Sequence, residues 1–483
     1  MRKSDYSNAR AIQAQKSPRA LALDALRGVA ILAMVFSGMI PHDVQLPSWM
    51  YHAQVGPPDF KFTPNIPGIT WVDLVFPFFL FAMGAAIPLA MAKKIEQGQA
   101  KWKIVLQLVK RAGLLAFFAI YIQHFKPWAL QSSPDTQTWL ISLFAFVLVL
   151  PVFVKFPQLS EKQNRYLNYF SWAGAILALY FVPNLYEQTF SIGKSDIIII
   201  VLANMAWAGG LIYLLTKENQ LLRLGLMAFL LAFRLTQGVE ESWNYELWRL
   251  TPASWFYTFY YLQYLYIIIP GTIVGDLIRT WVKESKLEQT NTGKSNQSYV
   301  VVIWGCSLIV LNLVGYKMRA LELSALLNVL WCTGGYWLFR NPKDALQRFH
   351  YKMYQWTVYW ILLGVSFEAF EGGIKKDSPT MSYYFLTTGL AIVSLIVLSE
   401  IIQKMNKERF FLPLIQIGQN PMVAYVGAAF IVVPILGLIG ALPYLDSLKE
   451  YGAWIGVMRG VIITSLVGLV TIFFVKKKWF MKS

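Results

Sequence analysis

The feature that most constrains this chain is the recurrence of apolar runs as long as DIIIIVLANMAWAGGLIYLL, Asp196 to Leu215. About 20 such residues in a helix cross the hydrocarbon of a bilayer. Lipid offers no partner to a backbone N–H or C=O, so each run must close its hydrogen bonds within itself. Comparable runs lie at about 23–41, 71–91, 103–124, 137–154, 166–182, 196–215, 221–235, 253–278, 299–316, 322–339, 352–370, 381–402, 412–437 and 454–475. Span 221–235 is short and span 253–278 long, which predicts 12–14 crossings with a re-entrant piece among them. Charged residues make up 14% of the chain, against about 25% in soluble domains. The chain therefore reads as all-α, a polytopic transmembrane helical bundle.

Charge placement orients the bundle. Counting connections alternately, the set containing the N-terminus to Arg27, the loops near 92–103, 155–166, 216–223, 279–298, 340–352 and 402–411, and the C-terminal tail holds 30 Lys and Arg, and the other set holds nine. An excess of that kind places the first set, and both termini, in the cytoplasm. Membrane lipids then account for the net charge of +17, because basic residues flanking apolar spans meet anionic headgroups. No nucleic-acid module is suggested. Cys306 and Cys332 fall within spans without a CxxC pair, so neither a disulfide nor a metal centre is expected.

The expected organisation is a cytoplasmic N-terminal segment 1–22 and a membrane region 23–284 with an external loop 42–70. A polar connection 285–298 (SKLEQTNTGKSNQS), a second membrane region 299–475 and a basic tail 476–483 follow.

The external loop carries chemistry-bearing residues: His42, Asp43, His52, Asp59 and Lys61. Prolines at 41, 47, 57, 58, 64 and 67 fix backbone angles and remove donors, which suits an ordered cap. A neutral imidazole can take a proton from a nucleophile and return it to a leaving group, which makes His52 a candidate base. An unconstrained loop histidine is the plain alternative. Trp49, Tyr51 and Trp71 offer aromatic walls for an acceptor, or serve as interfacial anchors. Asp73, at the start of the next span, either caps that helix or orients an imidazole. Pro77 and Pro88 interrupt that helix, and Gly84 and Ala85 permit close helix approach.

Other polar residues inside apolar runs are candidates for lining a ligand cavity. Asp24 and Arg27 share a helical face in LDALRG, as an ion pair or with Arg27 holding an anion. Lys110 and Arg111 either snorkel or face a cavity. Arg234 lies near the outer end of its span. Glu368 and Glu371, in FEAFEGGIKKD, suit a hydroxylated or cationic group, or a solvated helix end. Asn204 is a lining candidate, and Gln419 and Asn420 precede Pro421, whose lost N–H leaves backbone groups for them to satisfy or to offer to a ligand.

The order LDALRGVAILAMVF, YHAQ and GITWVDLVFPFFLFAMG resembles the transmembrane acyltransferase family that includes lysosomal heparan-alpha-glucosaminide N-acetyltransferase, in a bacterial, DUF5009-like form. The resemblance is clear over residues 21 to 91. It implies that His52 is the essential histidine and that Asp73 supports it. It also implies acetyl-CoA or a related acyl-CoA as donor from the cytosol, and an amino sugar or glycan as acceptor on the periplasmic side of a bacterial inner membrane. Arg27, Lys110, Arg111, Asn204, Gln419 and Asn420 are then expected to line the donor site, and Trp49, Tyr51, Trp71, Glu368 and Glu371 the acceptor site, without a metal. A homodimer is a further expectation. The sequence departs from the family pattern at Val55, where a tryptophan is usual, and in the insertion Pro57 to Pro67. A transporter or flippase without covalent chemistry is the competing reading, supported by the many spans and interrupted helices.

Overall fold

The computed structural model describes residues 20–236, 239–285 and 296–482. Most of the N-terminal segment, residues 286–295 of the polar connection, and Ser483 lie outside them. The helices are α1 (Leu21–Met39), α2 (Trp71–Glu96), α3 (Lys101–Phe125), α4 (Thr136–Phe153), α5 (Glu161–Leu185), α6 (Ile197–Thr216), α7 (Gln220–Leu235) and α8 (Leu265–Glu284). After the polar connection come α9 (Asn296–Lys317), α10 (Leu321–Phe339), α11 (Ala345–Ser366), α12 (Met381–Lys404), α13 (Glu408–Gln419), α14 (Pro421–Leu438) and α15 (Ala453–Lys476).

Among the described residues, ten helices are long and apolar enough to cross a membrane, so the chain is an all-α polytopic membrane protein. The other apolar runs also form helices, but α7 has only 16 residues and α5 opens on two polar turns, EKQNRYLN. The run expected at 412–437 is divided at Asn420–Pro421 into α13 and α14.

The run expected as a span from 253 differs in its first half. Its regular helix starts at Leu265, after a 3-10 turn over Phe259–Tyr264. The preceding stretch is half-exposed and is held to α6, where the Asn204 amide donates to the Phe256 carbonyl at 2.6 Å.

The two membrane regions share one core. α1 packs against α13, α14 and α15 from the far end of the sequence, while α2 packs on α8 and α12. Small residues set these crossings. A Cβ at Gly84 of α2 would lie 2.6 Å from the Ile268 carbonyl, and one at Gly271 of α8 would lie 2.6 Å from the Phe81 carbonyl. Backbones this close exclude any larger side chain. α2 runs unbroken through Pro77 and Pro88. α12 is central, with 89% of its apolar window buried.

Alternation of the helices gathers the loops into two ends. One end, called here the loop end, holds 40–70 and 367–380, joined where Gly68 N–H donates to the Ile374 carbonyl at 2.7 Å. The opposite end is tied by Lys404 to Asp344 at 2.6 Å and by Arg279 to Glu96.

Candidate active site

Asp73 occupies the first turn of α2, where four backbone N–H groups lack intrahelical partners. Its Oδ2 accepts from the Thr70 N–H at 2.8 Å and from the Ala53 N–H at 3.1 Å, while its Oδ1 meets His52 Nδ1 at 2.8 Å. Capping and orienting the imidazole, alternatives in the sequence, are performed together by the two oxygens of one carboxylate. The Asp73 carbonyl accepts from the Tyr383 hydroxyl at 2.8 Å, fixing α2 against α12.

The consequence for His52 is chemical. A carboxylate only accepts, so the hydrogen of this bond belongs to Nδ1, and the neutral ring keeps its lone pair at Nε2. Asp73 is sealed, its side chain 2% exposed, whereas that of His52 is 35% exposed. The pair thus has a buried anchor and an accessible working edge.

A cation completes the cluster. Lys376 Nζ lies 3.3 Å from both ring nitrogens of His52. Its loop is held by Gln54, whose amide donates to the Asp377 carbonyl and whose Oε1 accepts from Asp377 N–H at 2.9 Å. A reactant group taking Nε2 would release the ammonium toward an adjacent oxygen. Neither Lys376 nor Gln54 stands out in the sequence. The only signal is that KK at 375–376 is an adjacent basic pair in the connections poor in Lys and Arg.

Several expected acceptor residues instead build this scaffold. Tyr51 is 3% exposed, its hydroxyl donating to the Pro41 carbonyl at 2.7 Å and its ring packed with His42 and Phe60. It therefore organises the loop and presents no wall to an acceptor. Burial pushes its phenol above the ordinary value. Glu368 pairs with Arg319 and accepts from the Ile374 N–H at 2.7 Å. Glu371 accepts from Arg234 Nε at 2.9 Å and from the Met381 N–H at 2.6 Å. Both carboxylates are engaged in shaping the loop that carries Lys376. Trp71 stacks on Phe36, and Trp49 is exposed near Trp454.

The expected donor-site residues separate into groups. Arg27 donates to Asp24 Oδ1 at 3.0 Å and to the Ala82 carbonyl at 3.1 Å, so the ion pair of LDALRG also bridges α1 to α2. Arg111 of α3 is half-buried, and its Nε is buried without a hydrogen-bond partner. Two half-buried guanidiniums on neighbouring helices are groups that can donate to an anion. Lys110 is exposed on another face of α3. Asn204 spends its amide on the Ile200 and Phe256 carbonyls. Asn420 holds the C-terminal tail through the Trp479 carbonyl and Met481 N–H, at 2.9 and 3.1 Å. Gln419 is half-buried beside it. Among the described residues, no group of three or more His, Cys, Asp or Glu side chains could hold a metal ion.

Fold and site together define a polytopic helical membrane protein whose loop histidine is oriented by a helix-capping aspartate and faced by a lysine. By comparison with known families, residues 19–278 match the one described as "Domain of unknown function (DUF5009)", and the chain belongs to that family. It is also similar to human (Homo sapiens) heparan-alpha-glucosaminide N-acetyltransferase, with 30% identity over 105 residues. That similarity spans 22% of this chain and 14% of the human protein.

Proposed function

We propose that this protein is a membrane acyltransferase that moves an acyl group from a cytosolic acyl-CoA, acetyl-CoA foremost, to the amine of an amino sugar or glycan at the loop end. The observation that carries the reading is the His52–Asp73 pair with Lys376 beside its accessible edge. The distant similarity to an N-acetyltransferase supports it.

In this reading the acceptor nitrogen attacks the thioester carbonyl while His52 Nε2 takes its proton. The C–N bond forms and the negative charge on the carbonyl oxygen is met by the Lys376 ammonium. The C–S bond then breaks, and the proton passes from His52 to the departing thiolate, giving amide and free CoA. Asp73 holds the ring in the required tautomer throughout. Arg27 and Arg111 would hold phosphate groups of the donor. The basic connections are read as cytoplasmic, which sets the loop end outside, periplasmic in a bacterial inner membrane.

The test is protein in nanodiscs supplied with acetyl-CoA and glucosamine or a glucosaminide, with release of free CoA thiol and the mass of the product followed together. Thiol release that requires the acceptor, with a product heavier by one acetyl group, is the expected result. Uptake of the sugar into vesicles without product would instead favour a transporter.

A further inference from the structure

An apolar groove of about 550 Å³ opens on the surface of the bundle between α3, α6 and the non-helical segment before α8. Its floor is the small-residue face of α3, Ala112, Gly113 and Ala116, and its walls are Trp207, Trp255 and Phe256. At Gly113 an added Cβ would meet nothing within 4 Å. The groove opens toward lipid, since Leu106 and Val109, on the same stripe of α3, are 60% and 55% exposed.

Its dimensions select the occupant. Val109 and Ile120 both line it, and the rise between them is about 16 Å at 1.5 Å per residue. A volume of about 550 Å³ over that length makes the groove narrow and elongated. Ten residues line it, where a stable protein interface engages about 20–30 a side. The lining carries no charge, so it complements hydrocarbon and repels a headgroup. A single alkyl chain fits a narrow, elongated, uncharged groove that opens toward lipid.

A chain of ring contacts runs from the wall of the groove to the scaffold of the candidate site. The segment that supplies Trp255 and Phe256 continues to Tyr264, whose ring lies 5.7 Å from that of Tyr384. Tyr384 adjoins Tyr383, and the Tyr383 hydroxyl holds the Asp73 carbonyl.

We infer that the groove binds the alkyl chain of a lipid-anchored acceptor, so that the headgroup is presented toward His52. The acceptor is then an amphiphile drawn laterally from the membrane, rather than a freely soluble sugar. This inference rests on the acyl-transfer reading for the headgroup chemistry, while the chain site itself does not.

The experiment compares dodecyl and methyl glucosaminides, which share a headgroup, with protein in nanodiscs. A dodecyl glucosaminide with a diazirine at the chain end supplies the photolabel. Gly113→Trp and Ala116→Phe fill the groove. Gly334→Trp, at an exposed glycine of α10 with equally open surroundings, is the control, and all three are checked for a monodisperse elution profile. The expected label falls on peptides spanning 109–120 or 255–256 and drops about tenfold in the filled variants alone. The dodecyl acceptor has a KM about tenfold or more below that of the methyl one in the native protein, and filling the groove abolishes that advantage. Label spread over the lipid-facing surface and unchanged by filling would overturn the chain site. Equal KM for both glucosaminides would overturn the anchored acceptor while leaving acyl transfer standing. A saturable groove label with no transfer to either sugar would sink the acyl-transfer reading and support the chain site alone.

Discussion

Among the described residues, two histidines pair with carboxylates, one at each end, and they differ in what surrounds them. At the loop end, His52 has Nδ1 on Asp73, an exposed edge and a lysine beside it. At the opposite end, His350 of α11 is 1% exposed, with Nδ1 3.2 Å from Glu400 and Nε2 2.5 Å from the Ser399 hydroxyl. Both ring nitrogens of His350 are occupied by α12, so its pairing fastens two helices together. Pairing with a carboxylate therefore does not distinguish a reactive imidazole from a structural one. Access to the second nitrogen does.

The sharpest way to break the comparison is to remove each ring. His52→Ala should lower acyl transfer by about 10³-fold, the scale of lost general base catalysis, with a melting midpoint near that of the native protein. Asp73→Asn should reduce kcat by about 10²-fold or more with little change in KM, since it disturbs the tautomer and leaves the acceptor surface intact. An His52→Ala protein with native turnover would remove the base assignment.

His350→Ala should invert that pattern. It strands Glu400 in a buried position, a loss of about 3 kcal/mol, read as a lower thermal midpoint with kcat per folded molecule preserved. A large fall in kcat at native stability would show that the opposite-end pair also takes part in turnover.

Lys376 tests what sets the two histidines apart. Lys376→Ala should cost about 10²-fold in kcat, the range for loss of one oxyanion donor, and Lys376→Arg should recover part of it. Equal activity in Lys376→Ala and native protein would reassign the lysine to loop structure.

The smallest effect concerns pH at the opposite end. Burial pushes the Asp344 carboxyl up, but the Lys404 ammonium and the Gln347 N–H outweigh it and hold it below the ordinary value. A depressed folded value means stability that is present above the unfolded value of about 3.9 and lost as pH falls through the folded one. Asp344→Asn keeps the helix cap and removes the charge, so the loss of stability between about pH 5 and 3, followed by the melting midpoint, should be smaller by less than about 1 kcal/mol. An identical acid limb in both proteins would show that the pair contributes nothing to acid stability.

How much of this was legible beforehand depends on the range of the interaction. Each apolar run lies where a helix forms, because lipid imposes the backbone solution locally. The cap at Asp73 is equally local, three residues from Thr70. The non-helical stretch before α8 was visible only as a run too long for one crossing. Its start was misplaced because an aromatic stretch such as SWFYTFYYLQYLY carries no breaker to mark where regular helix begins. Tyr51, Glu368 and Glu371 have the residue types of an acceptor site. Their partners Pro41, Arg319 and Arg234 engage them elsewhere, and spacing along the chain carries no trace of the last two pairings.

The sequence by itself determined the class of molecule, the helices, the unequal charge of the two sets of connections and the histidine worth examining, since hydropathy, charge placement and helix capping act over a few residues. Only the tertiary structure decided which histidine keeps an accessible ring nitrogen and which cation faces it. Lys376 stands 324 residues from His52, and helix packing through Gly84, Gly271 and the Tyr383–Asp73 bond brings those distant segments to one end. No pattern of neighbours along the chain encodes that meeting.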